Sequence, residues 1–107
     1  MATITWQNTA KQQLIDNITY ALIEYGETTA NRWETDVQAV EWRLRRYPVS
    51  YPLEPLLSSR QKIYRFCHVM HRRFKIIYYY DEIKDVVTIM DIWDTRMDPK
   101  TLTKRIR

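Results

Sequence analysis

Residues 64–99 read YRFCHVMHRRFKIIYYYDEIKDVVTIMDIWDTRMDP, three runs of β-branched and aromatic residues separated by short polar turns. The turns at Met70–Arg73 and Asp81–Lys84 are short, which implies an antiparallel meander. Side chains alternate across a strand. In the middle strand Phe74, Ile76, Tyr78 and Tyr80 therefore share one face, and Lys75, Ile77 and Tyr79 the other. In the first strand Tyr64, Phe66 and His68 oppose Arg65, Cys67 and Val69. In the last, an unbroken alternation sets Val86, Thr88, Met90 and Ile92 against Val87, Ile89, Asp91 and Trp93.

The residues before this meander supply its cover. Thr3–Trp6 suits a short first strand, with Ile4 and Trp6 on one face. Thr9 with Gln12 three positions later has the form of a helix start. Leu14, Ile15, Ile18, Ala21, Leu22 and Tyr25 follow at helical period, so a first helix is expected over Ala10–Tyr25. Gly26 stands where the stripe stops, the place where a positive φ is commonly needed. A second helix, capped by Thr28 or Thr29, carries the seam Ala30, Trp33, Val37, Val40, Leu44 and Tyr47 and ends at Pro48. The short link makes the helices an antiparallel hairpin. Its seam suits a coiled-coil dimer or the face of a sheet, and the meander needs such a roof. Pro48–Lys62, with Pro48, Pro52 and Pro55, reads as an irregular connection. Asp98-Pro99 begins a last, basic helix running to Arg107. The expectation is one α+β domain over residues 1–107, in the order β-α-α-β-β-β plus a short C-terminal helix. Its antiparallel sheet is covered on one face by the helical hairpin.

Composition narrows the function classes. The chain is 45% apolar and 28% charged, which is ordinary globular usage. A single cysteine, Cys67, excludes an internal disulfide and a cysteine-cluster metal site, and two histidines leave little for a metal of any kind. No cofactor motif is present, no apolar run is long enough for a membrane span, and the N-terminus lacks the pattern of a secretory signal, so a cytoplasmic protein is expected. The net charge of +4 is uneven: five Lys/Arg against seven Asp/Glu in residues 1–57, and twelve against six in residues 58–107. A basic sheet half attracts phosphates or an acidic protein.

The candidate site follows from strand parity. With the Phe74–Tyr80 face against the helices, Lys75 and Tyr79 face outward. Arg65 and Cys67 join them if the neighbouring strand buries Tyr64 and Phe66, and Arg96 leans over the same surface. Arg65, Arg73, Lys75 and Arg96 are the phosphate- or partner-binding candidates, because guanidinium groups bind phosphates and carboxylates bidentately. Tyr79 is a candidate for base stacking. Metal-free RNA cleavage needs a proton donor and acceptor, and His71 in the turn is the candidate, whereas His68 points by parity into the core. Cys67 is a passive small residue, since nothing beside it in sequence lowers a thiol pKa. On these grounds a basic RNA-binding module stays open.

Tyr47-Pro48, Ile63-Tyr64-Arg65, Phe74-Lys75-Ile76-Ile77-Tyr78-Tyr79 and Ile92-Trp93-Asp94-Thr95-Arg96-Met97-Asp98-Pro99, after a helical hairpin with Trp33 and Ala39, resemble the RelE/ParE superfamily of bacterial type II toxins over nearly the whole chain. The ending is similar to the plasmid-stabilisation branch. The resemblance implies a growth-inhibiting toxin neutralised by an amphipathic antitoxin, as a homodimer or a heterotetramer with it. Exposed Ile77, Val87 and Ile89 would help receive that partner. It implies one of two targets: DNA gyrase, bound without hydrolysis, or mRNA cut on the ribosome without metal. A decayed toxin that only binds its antitoxin is a further reading. Carried over by position, the nuclease branch's cations fall on Arg65, Lys75 and Arg96, its second-strand lysine on Cys67 and its C-terminal tyrosine near Leu102. The last two are departures, and the depleted set suits a gyrase-type inhibitor at least as well.

Overall fold

A computed structural model describes residues 1–106; Arg107, the end of the expected last helix, lies outside the described residues. The meander forms as β2 (Tyr64–Val69), β3 (Phe74–Asp81) and β4 (Val86–Asp94), joined antiparallel. β1 (Thr3–Trp6) adds to β4 in parallel, giving the order β1-β4-β3-β2. The pairing of Thr3 with Val86 and Trp6 with Ile89 joins segments about 80 residues apart, a partnership no local signal encodes.

α1 (Asn8–Glu24) and α2 (Glu27–Arg46) make the expected hairpin. Gly26 takes φ 100° between them and donates its N–H to the Ala21 carbonyl at 3.0 Å. Both expected caps are corrected. Helix α1 begins before Thr9, from Gln7, and α2 begins directly from Gly26, each without a side-chain cap. The α2 seam is buried through Ala30, Trp33, Val37, Val40 and Leu44, while Tyr47, one residue past the helix, is exposed. The seam packs on Cys67, Val69, Ile76, Tyr78, Val87, Ile89 and Ile92, so it roofs the sheet, with no need of a coiled-coil partner.

The opposite face is also covered, which corrects the expectation of a single roof. A 3₁₀ turn at Pro55–Leu57 and α3 (Pro99–Arg105) lay Leu57, Leu102 and Ile106 over Tyr64, Ile77 and Trp93, forming a second core. Asp98 caps α3 by accepting from the Lys100 N–H at 3.0 Å, with Pro99 at the first helical position, as the sequence predicts. Arg60 fastens the helix, donating to the carbonyls of Thr103 and Ile106.

Pro48–Lys62 is long because it passes from one face to the other around the β2 edge. Its start lies on the hairpin side, where Tyr78 Oη donates to the Pro48 carbonyl at 2.8 Å. It then runs beside β2, where Phe66 N–H donates to Pro52 and Glu54 N–H to Tyr64. It ends as the 3₁₀ turn beneath α3.

A β-bulge in β4 breaks the expected alternation. Ile77 pairs with Asp91 but Tyr78 pairs with Ile89, so Met90 is the extra residue. The bulge turns Ile92 toward the hairpin and puts Asp91 and Trp93 on the α3 side with Ile77 and Lys75. Ile77, Val87 and Ile89, expected on the surface, are each fully buried: Val87 and Ile89 under the hairpin, Ile77 under α3.

Candidate functional site

The six side chains singled out from the sequence fall in three places. Arg65 pairs across the sheet with Tyr78, so it belongs to the hairpin face, where its guanidinium donates to the Tyr51 carbonyl at 2.7 Å. Lys75 lies on the other face, beside Trp93 and His68 in the register. Its ammonium pairs with Glu54 at 3.1 Å and sits 4.2 Å from the Phe66 ring centroid. The expected groove shared by Arg65, Lys75 and Arg96 is therefore not formed. Sequence parity had put Arg65 with Lys75 because Tyr64 and Phe66 were expected under the hairpin. In fact they face α3, and Arg65 takes the hairpin side.

Tyr79 shares the Lys75 face, but its ring is already engaged. It meets Tyr64 edge-on at 5.9 Å, and Lys62 Nζ lies 4.3 Å over its centroid, so neither arrangement leaves a free stacking platform. His68 is exposed on that same face instead of pointing into the hairpin core. Partial burial, helped by Lys75 and Arg72, holds its imidazole below the usual histidine pKa. Cys67 is buried in the hairpin core, and burial pushes its thiol up to about 12, which leaves it protonated and unreactive.

His71, Arg73 and Arg96 do come together. They line a cleft of about 330 Å³ between the helical turn, the β2–β3 turn and the chain leaving β4. Its base is Ala21, Trp33, Met70 and Phe74, with Trp33 and Phe74 4.8 Å apart. Tyr20 and Tyr25, about 58% and 60% exposed, stand at its rim edge-to-face at 6.1 Å. Asp94 anchors Arg96 through both guanidinium bonds, at 3.1 and 2.9 Å, and accepts the Arg96 backbone N–H. These bonds hold the Asp94 carboxyl below the ordinary aspartate pKa. Arg73 and His71 side chains make no hydrogen bond or ion pair within the described residues.

The β2–β3 turn that carries them is strained. Met70, His71 and Arg72 all have positive φ, at 54°, 56° and 68°, which costs an ordinary L-residue about 1–2 kcal/mol. Surrounding bonds hold it: Asp36 accepts the Met70 N–H at 2.8 Å, and Thr95 donates its N–H and its hydroxyl to the Arg73 carbonyl. Strain of this kind gathers at sites that present side chains for a purpose.

In the sequence Tyr25 belongs to the helix stripe and Phe74 to a strand, and Tyr20 belongs to neither pattern. The signal available was Tyr20, which stands outside the apolar stripe of α1. Among the described residues no group of His, Cys, Asp and Glu is arranged to hold a metal, and no helix is long and apolar enough to cross a membrane.

Comparison with known proteins agrees with the fold. No curated protein matches the sequence. A solved structure described as a chromosomal ParDE TA system from P. aeruginosa superposes with a TM-score of 0.67 at 15% identity, covering 88% of this chain and 96% of the other. At that identity the likeness carries the fold alone. Residues 4–99 match the family model for the ParE toxin of the type II toxin-antitoxin system parDE, and the chain belongs to that family.

Proposed function

We propose that this ParE-family chain arrests growth by binding a protein target such as DNA gyrase, and that a cognate antitoxin holds it inactive. The observation that carries the choice of target is the fate of the three cations a nuclease of the wider superfamily would need in one place. Arg65 and Lys75 occupy opposite faces of the sheet, and Lys75 is spent on Glu54. Charge stabilisation of a cleaving phosphodiester requires preorganised donors around one point. Arg65, Lys75 and Arg96 do not share one. The proton-transfer set is equally thin: Leu102, near which a C-terminal tyrosine would fall, is buried on the inner face of α3. A surface that binds without hydrolysis asks for none of these groups.

Inducing the chain alone in bacteria tests the reading. Growth is expected to stop with DNA-damage signalling and trapped gyrase–DNA cleavage complexes, while transcripts stay intact. Co-expression of the small acidic partner encoded beside it is expected to restore growth. In-frame cuts in translated mRNA, abolished by Arg65→Ala with Arg96→Ala, would replace this reading with the ribosomal nuclease. Unimpeded growth would reduce the chain to an antitoxin-binding module.

A further inference from the structure

We propose that the cleft between the helical turn and the strained β2–β3 turn binds an acidic peptide segment through one large apolar side chain and a carboxylate beside it. The cleft has two chemically distinct parts. Its base is apolar, made by half-buried Phe74 and by Met70 and Ala21, with Trp33 beneath. Its strand-side edge is cationic, made by Arg73 and Arg96 with the His71 imidazole. Among the described residues no carboxylate lines the cleft, and Asp94 beside it is engaged by Arg96. Arg73 has no such partner, so its planar fork remains open to an incoming carboxylate. Across the cleft the Tyr20 and Tyr25 hydroxyls also lack bonds within the described residues.

The occupant's size and class follow from the walls. A volume of about 330 Å³ lies at the small end of ligand pockets, enough for a side chain and its neighbours. A nucleobase is a poor match. It stacks on a free aromatic face and is read by paired donors and acceptors, whereas Tyr20 and Tyr25 meet edge-on at 74° and the Asn17 amide already gives one N–H to the Gln13 carbonyl. A peptide with an aromatic or aliphatic anchor flanked by carboxylates satisfies both the base and the edge. The strained turn is bound at both ends by Asp36 and Thr95, so the backbone that carries Arg73 is already ordered and only its side chain has to be fixed on binding. The inference deepens the toxin reading by giving its neutralising partner a seat, and it rests on that reading only for who the partner is.

The test uses the whole chain, isotopically labelled, titrated with an acetylated peptide of glutamates around a single phenylalanine. Resonances of Tyr20, Tyr25, His71–Phe74 and Arg96 are expected to shift together. Arg73→Gln is expected to weaken binding about tenfold, the loss of one charge-assisted bond. Replacing the peptide's phenylalanine by alanine is expected to abolish the shifts. Thermal unfolding of the variant checks that it remains folded, and Tyr25→Ser, on the exposed rim, gives a second reading should Arg73→Gln disturb the turn. Equal binding of the all-lysine counterpart, shifts centred elsewhere, or tighter binding of a thymidine oligonucleotide at the same residues would each overturn the proposal. None of these outcomes touches growth arrest, so the two readings fail separately.

Discussion

Lys75 illustrates how a residue type seen in sequence can mean something different in place. Read along the strand it is an outward cation. In the fold it closes over Phe66 and pairs with Glu54, whose carboxylate is 1% exposed and also accepts the Leu56 N–H. A buried carboxylate left without its cation is expensive, whereas replacing both charges together is often close to neutral. Lys75→Met is therefore expected to lower unfolding free energy by about 3–5 kcal/mol. Adding Glu54→Gln should return most of that, since the amide can still accept from Leu56. Urea unfolding of the single and double variants decides it. A double variant as unstable as the single would mean that Lys75 acts by packing on Phe66 and not by charge.

The elements were legible to unequal degrees, and the reasons are physical. The meander and the hairpin announce themselves because period and turn chemistry are local: the α2 seam, Gly26 and the Asp98-Pro99 start each act within one turn of the chain. The β1–β4 pairing, the Met90 bulge and the docking of α3 depend on residues far apart in sequence, and no local pattern encodes them. The bulge matters most for the site, because an unbroken alternation would have left Asp91 on the side of Val87 and Ile89. Instead Asp91 is buried beneath α3 and paired with Arg105. Burial outweighs Arg105 and lifts its carboxyl above the ordinary aspartate pKa. A raised folded-state pKa means that the folded chain holds this proton more tightly than the unfolded one. Its contribution to stability is complete below the unfolded value of about 4, and is lost as pH rises through the folded value. Asp91→Asn is thus expected to flatten the fall in stability over that window, read as urea midpoints from acid to neutral pH. An unchanged slope would place the titration elsewhere.

At the scale of the molecule, one sheet serves two cores. Ile76 and Ile77 are neighbours in β3, yet the first packs under the hairpin and the second under α3. The same holds for Ile92 and Trp93 in β4. Strands shared in this way couple the layers, because losing either layer exposes the strands on which the other is built. The chain's ends reinforce the coupling: β1 closes on β4, and Arg60 and Arg105 tie α3 to the rest. Unfolding is therefore expected to be a single transition. Trp33 reports the first core and Trp93 the second, so fluorine resonances of 5-fluorotryptophan at the two positions should move to their unfolded values at one urea concentration. If Trp93 moved first, α3 would be a flap that opens ahead of the fold. The face beneath it, with Lys75 and Tyr79, would then be reachable after all, and the opened sheet could bind phosphate. Coincident transitions would leave the cleft, with the unpaired Arg73 beside the Asp94-bound Arg96, as a place where cationic and exposed aromatic surface meet.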